Sequence, residues 1–196
     1  MWSYEKKYAD EGYMNICGVD EAGRGPLAGP VCAAAVILPF GIEIDGLDDS
    51  KKLTPKKRDK LYDIIIENAV SYGIALVDEK VIDEINILNA TYAAMNEAMD
   101  KLAVTPDIAL IDGNRSKGIK YNNECIVGGD GKSASIAAAS ILAKVTRDRF
   151  MLELDEKYPE YGFSRHKGYP TKEHYEKIRE YGISPVHRVT FLKKTH

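Results

Sequence analysis

Residues 14–39 read MNICGVDEAGRGPLAGPVCAAAVILP. An apolar run from Met14 to Val19 ends on two acids, Asp20 and Glu21. A loop rich in glycine and proline, 22–30, follows, and then a second apolar run from Val31 to Pro39. Two apolar runs joined by turn-forming residues predict a pair of strands, here antiparallel. The alanines at 33–35 lower the strand propensity of the second run without removing it.

Working outward, Thr54-Pro55 reads as an N-cap followed by proline at the first helical position, with a helix to about Asn68. Tyr72–Val77 reads as a third strand. Ile82, Ile85, Leu88 and Tyr92 recur at helical spacing and predict one or two helices over 79–103. Ile108–Ile111 is a buried strand that stops at Asp112-Gly113, and Glu124–Val127 is another that stops at a Gly-Gly-Asp-Gly turn. Ser133 or Ser135 caps a long helix to Lys157, with Ile136, Ala139, Ser140 and Ala143 as a small-residue face suited to lying on a sheet. A short helix closes the pattern at 171–181. Strands first, then strands mixed with helices, predict an α/β layered fold with a mixed central sheet.

Composition narrows the classes. The chain has 196 residues with 44% hydrophobic and 29% charged residues, ordinary for a globular domain. It has no apolar run long enough to span a membrane and no N-terminal apolar segment of secretory type. Three cysteines, Cys17, Cys32 and Cys125, do not make a disulfide framework and fit a reduced, cytoplasmic setting. Cys17 and Cys32 are expected as small buried hydrophobic residues, with contact between them on the first two strands as the alternative. The net charge of −3 hides an asymmetry: residues 161–196 hold eight Lys or Arg against three Glu, so this segment carries +5 while residues 1–160 carry −8. The expected organisation is a main domain over 1–160 and a basic segment over 161–196 packed beside it as one functional unit.

The acids carry the chemistry. Asp20-Glu21, Asp112 and Asp130 each stand at the end of a strand, where functional groups of α/β sheets gather. One such acid is more often a turn or capping residue. Four converging on one sheet edge would repel unless protonated or bridged by a cation. Mg²⁺ or Mn²⁺ suits such hard oxygen ligands, and two ions about 4 Å apart serve phosphodiester hydrolysis.

Three other patterns carry less. Gly128–Ser133 ends in Gly-Lys-Ser, but the position that a P-loop needs as its first glycine is Ile126. Gly23-Arg24-Gly25 with Gly29 precedes a strand rather than a helix, so it is not a dinucleotide fingerprint. The four histidines have no metal-ligand spacing with cysteine.

The segment Val19–Val31 resembles the opening signature of the ribonuclease HII family. Asp49-Ser50-Lys51-Lys52-Leu53, Leu110–Gly113, Gly129-Asp130, Ser135–Asp148, His166–Thr171 and Ser184–Arg188 match further family blocks in order, over about residues 12–192. The resemblance implies a ribonuclease H-like fold and a metal-dependent endonuclease. Such an enzyme cuts the RNA strand of RNA/DNA hybrids and incises duplex DNA on the 5′ side of an embedded ribonucleotide. It implies Asp20, Glu21, Asp112 and Asp130 as metal-binding catalytic acids, and two-metal chemistry leads us to expect one ion among Asp20, Asp112 and Asp130 and a second near Asp20 and Glu21. It implies Gly23, Arg24 and Gly25 as the loop that senses the ribose 2′-hydroxyl, and Tyr169 as the aromatic beneath a sugar at an RNA–DNA junction. Reading a 2′-hydroxyl is what separates RNA from DNA, and a glycine loop lets peptide groups approach a sugar.

Ser50, Lys51, Lys52, Lys144, Arg147, Arg165 and Lys167 are expected phosphate contacts, while Asp148 is expected to pair with Lys144. The C-terminal Lys193-Lys194-Thr195-His196 carries no Gln-hydrophobic-aromatic motif, so no clamp-binding tail is expected, and a monomer is. A hybrid-binding module without catalysis and a nucleotide hydrolase are the alternatives. Intact acids at all four positions disfavour pure binding, because binding to phosphates favours removing negative charge.

Overall fold

The computed structural model describes residues 1–47 and 53–192. The elements in chain order are α1 (Ser3–Asp10), β1 (Ile16–Ala22), β2 (Val31–Ile37), α2 (Pro55–Asn68), β3 (Ser71–Val77), α3 (Glu79–Asp100), β4 (Ile108–Asp112), β5 (Asn123–Ile126), α4 (Ala134–Lys157), α5 (Phe163–His166), α6 (Lys172–Tyr181) and α7 (Val189–Leu192). The sheet order is β3-β2-β1-β4-β5. β1 runs antiparallel to β2 and parallel to β4, and β5 is parallel to β4. The mixed sheet expected from the sequence is present, with the glycine-rich loop joining its two central antiparallel strands.

Helices cover both faces. Cys32, Ala34 and Val36 pack against Leu61 and Ile65 of α2 and Ala138, Ala139 and Leu142 of α4. Val19, Ala33 and Ala35 face the other way, against Ile82, Ala94 and Met95 of α3. This period-two alternation sorts every β1 side chain to one helix or the other. Residues 134–143 of α4 are buried on all sides, more than the single small-residue face expected. The contact is close because of Gly18: a Cβ there would lie 2.1 Å from the Ser135 carbonyl carbon.

Local signals act as the sequence predicts. Thr54 caps α2 and Ser133 caps α4 through their hydroxyls. α3 is two helical segments broken at Asn86, whose φ is 67°; its Oδ1 accepts from the Leu88 and Asn89 amides and caps the second segment. α1 was not anticipated. It docks on the start of α4, where buried Glu5 accepts from Ser133 Oγ at 2.6 Å and from the Ser135 amide at 3.0 Å.

Cys17 and Cys32 are small buried core residues, as expected, and the alternative of contact between them does not hold. Cys17 pairs in register with Ile37 and Cys32 with Ala22, and the two thiols belong to opposite faces of the sheet. No helix among the described residues is long and apolar enough to cross a membrane.

Candidate active site

Parallel pairing of β1 with β4 continues to Val19 opposite Ile111, so the next residues, Asp20 and Asp112, leave the two strands at the same level. Asp130 reaches the same point from a short 3₁₀ turn at Gly129–Gly131, just before α4. Carboxylate oxygens of Asp20, Asp112 and Asp130 lie within 4.8 Å of one another. The Gly129 amide donates to Asp112 Oδ1 at 2.7 Å, tying the Asp130 turn to the end of β4. Asp20 is 4% exposed and Asp130 5%. Asp20 Oδ1 accepts from the Glu21 amide at 2.7 Å, and its carboxyl also meets the Ser140 side chain of α4. Burial, then the charges of Glu21 and Asp112, hold the Asp20 carboxyl well above the usual carboxylate range, with Ser140 and the amide working against them.

Such a cluster is costly without a cation. Its donor set is all oxygen, which fits a hard divalent ion and not a soft one. Glu21 stands at the rim, with Arg24 Nη1 3.5 Å from its Oε1.

A cavity of about 240 Å³ opens over the acids and is lined by Asp20, Gly23, Gly25, Ser140, Lys144 and Tyr169 among others. The Tyr169 ring flanks the glycine loop: a Cβ on Gly25 would sit 3.6 Å from Tyr169 Cε1. Tyr169 is 39% exposed, so one part of its ring remains open for contact. Lys144 lies 6.0 Å from the ring centroid and pairs with Asp148 at 2.7 Å, as expected of Asp148.

Two buried arginines hold the walls in place. Arg188 donates to the carbonyls of Gly23, Arg24 and Gly29 at 2.7–3.1 Å. Arg147 donates to the carbonyls of Pro30, Ala28 and Lys167 at 2.9–3.2 Å. The expectation that Arg147 meets phosphate is therefore corrected: it is 1% exposed, and its donors are spent on backbone that joins the glycine loop to the Tyr169 loop. Burial pushes both guanidinium groups below their ordinary pKa, yet arginine stays charged at neutral pH. Gly23, at φ +96°, fits only as glycine, because a Cβ would lie 2.0 Å from Arg147 Nε.

A histidine chain backs Tyr169. The Ser184 amide donates to His187 Nδ1 at 2.9 Å, which leaves the His187 proton on Nε2. That proton faces His174 Nε2 at 3.0 Å, and His174 Nδ1 donates to the Tyr169 carbonyl at 3.0 Å. His166 stacks on His174 with ring centroids 4.3 Å apart. Burial, the largest cause for both, pushes the His174 and His187 pKa values down to about 4.

Of the remaining expected contacts, Arg165 is exposed and paired with Glu173, and Lys167 is half-buried with its ammonium on the Ser164 carbonyl. Ser50, Lys51 and Lys52 lie outside the described residues. Sequence reasoning passed over Ser140, Arg188, His174 and His187 as site-builders. Arg188 carried one signal, an arginine in a block matched for its pattern alone, and the histidines' clustering in one short segment was another.

The family model for ribonuclease HII matches residues 17–194. The chain is 60% identical over 193 residues to a ribonuclease HII of Acetivibrio thermocellus, covering 98% of this chain and 75% of that protein. It is 57% identical to one of Caldicellulosiruptor bescii, covering 96% and 92%. The crystal structure of ribonuclease H2 from Pyrococcus horikoshii OT3 superposes with a TM-score of 0.75 at 33% identity, covering 90% of this chain and 93% of that one. With its mixed sheet, its three converging aspartates and a match across nearly its whole length, the chain belongs to the ribonuclease HII family of metal-dependent endonucleases.

Proposed function

We propose that this enzyme hydrolyses the RNA strand of RNA/DNA hybrids and also incises duplex DNA on the 5′ side of an embedded ribonucleotide, leaving 3′-hydroxyl and 5′-phosphate ends. One observation carries the reading: Asp20, Glu21 and Asp112 line the same cavity as the glycine loop with its Tyr169 wall. Cleavage chemistry and sugar recognition would then act on one nucleotide.

Asp20, Asp112, Asp130 and Glu21 would hold the divalent ions, Mg²⁺ or Mn²⁺. When bound, two such ions activate water and offset charge on the leaving oxygen. The chain's own part is to present its carboxylates in fixed positions. The Gly129 amide orients Asp112, and the Glu21 amide orients Asp20. Arg188 pins the carbonyls of Gly23 and Arg24, which sets the direction of the loop's peptide groups toward a 2′-hydroxyl. Tyr169 offers a ring face to a sugar or base beyond the ribonucleotide. Arg24, exposed at the rim, reaches phosphate through its planar fork. Lys167 supplies positive charge along the approach, and Lys144 and Arg165 reach phosphate by leaving Asp148 and Glu173.

Alanine at Asp20 tests the assignment. Turnover on hybrid and on ribonucleotide-containing duplex should vanish while the circular dichroism spectrum stays that of the folded protein. Retained turnover would remove Asp20 from the reaction.

A further inference from the structure

The acids border a second cavity, also about 240 Å³. Glu21, Arg24 and Asp112 line both, so the two are lobes of one groove passing over the acids. The alternation of β1 separates them. Val19 faces α3, so Asp20 turns to α4 and Glu21 to α3. The α4 lobe holds Gly23, Gly25 and Tyr169. The α3 lobe instead holds Leu88, Tyr92, Met95, Asn114 and Arg115.

We propose that the α3 lobe is the subsite for the nucleotide on the 5′ side of the cleaved bond, with Arg115 on that nucleotide's own 5′-phosphate. The inference rests on the proposed function and adds a direction to it. A ribonucleotide whose 2′-hydroxyl meets the glycine loop occupies the α4 lobe. The bond cut on its 5′ side lies over the acids. The strand therefore continues in its 5′ direction across Glu21 into the α3 lobe. The lining suits this occupant. Tyr92 and Met95 are buried, and with Leu88 they form an apolar floor for a sugar and the face of a base. Asn114 and Arg115 stand exposed beyond the end of β4 and offer an amide and a guanidinium to phosphate. Among the described residues no carboxylate lies within ion-pair distance of Arg115, so none of them neutralises its charge.

The test compares two duplexes, each with one ribonucleotide. In the first the cleaved strand has a long 5′ flank. In the second that flank is a separate oligonucleotide held in place by the complementary strand, so the cleaved strand begins at a nick one nucleotide before the ribonucleotide, with a 5′-hydroxyl and no phosphate for Arg115. In the wild type the truncation should raise KM about tenfold, the worth of one charged phosphate contact. In Arg115→Ala the long-flank KM should rise by a similar factor, and the truncated-to-long ratio should collapse toward one. The variant's salt dependence on the long-flank duplex should lose about one unit of slope. Arg115→Lys should restore part of the ratio, which a merely structural role would not produce. An unchanged ratio in Arg115→Ala overturns the subsite, as does a variant sensitive to shortening the 3′ flank instead. The parent reading is judged separately, by the position of the wild-type cut on the long-flank duplex.

Discussion

The guanidinium of Arg188 lies 2.7 Å from the carbonyl of Gly23, a residue 165 positions earlier in the chain. Through this contact the basic C-terminal segment closes one wall of the cavity over the acids. The bridge between Ala28 and His187 and the bond from the Arg188 amide to the Leu27 carbonyl join the same two segments. Residues 161–192 are thus a structural part of the site and not only a source of positive charge.

Arg188→Met should therefore destabilise the fold strongly. Three backbone carbonyls lose buried donors, and each unsatisfied group costs about 1–3 kcal/mol. A loss of about 3 kcal/mol or more in urea unfolding is expected, with Arg188→Lys intermediate. A change below about 0.5 kcal/mol, the size usual for an unremarkable surface substitution, would contradict the anchoring role.

Gly23→Ala acts on the same wall from the other side. The residue sits at φ +96°, and the added Cβ would meet Arg147 Nε at 2.0 Å. Strain and displaced arginine together should cost about 1–3 kcal/mol. Cleavage should fall at least tenfold, because the loop moves relative to the acids. Wild-type rates and stability in this variant would show that the loop geometry is not needed.

Asp20 couples the acids to stability. Its carboxyl is held above its ordinary value, so its favourable contribution is fully present only below the unfolded pKa of 3.8. That contribution is lost as pH rises through the folded pKa. In EDTA at neutral pH, Asp20→Asn should melt above the wild type. Added Mg²⁺ or Mn²⁺ should raise the wild-type Tm and leave the variant's nearly unmoved. Calorimetry with and without metal reads both effects, and equal metal shifts in the two proteins would exclude Asp20 as a ligand.

The histidine chain predicts an acid limb. His174 and His187 bind protons near 6.5 when unfolded but only near pH 4 when folded. Folding stability should be full above about pH 6.5 and fall steadily between there and pH 4. The slope should reach as much as two protons taken up on unfolding. His187→Gln should flatten that limb and loosen Tyr169, seen as a raised KM on ribonucleotide-containing duplex. A stability flat from pH 7 to 4 would contradict the neutral tautomers.

Much of this was legible in the sequence because the signals are local. Thr54-Pro55 and Ser133 cap helices through chemistry that the next three residues complete, Asp20, Glu21 and Asp112 declare themselves by ending apolar runs, and Asp130 by the glycine turn that follows one. What was hidden depends on distant partners. Arg147 looked like a surface cation because helix periodicity does not show that Pro30, Ala28 and Lys167 converge on its guanidinium. That Cys17 and Cys32 face opposite sides of the sheet was hidden too, because register, not strand order, decides who faces whom. α1 carries few apolar residues, and its anchors are distant: buried Glu5 finds partners 128 and 130 residues away, and Lys7 and Tyr8 meet Glu124.

The central claim is that one cavity both reads a 2′-hydroxyl and cuts beside it. Its most direct test is cleavage of an end-labelled DNA duplex containing one ribonucleotide, in Mg²⁺, Mn²⁺ or EDTA, beside an all-DNA control. The account predicts a metal-dependent cut on the 5′ side of the ribonucleotide with the control intact. Binding to that duplex without cleavage in either metal, or equal cutting of the control, would contradict it.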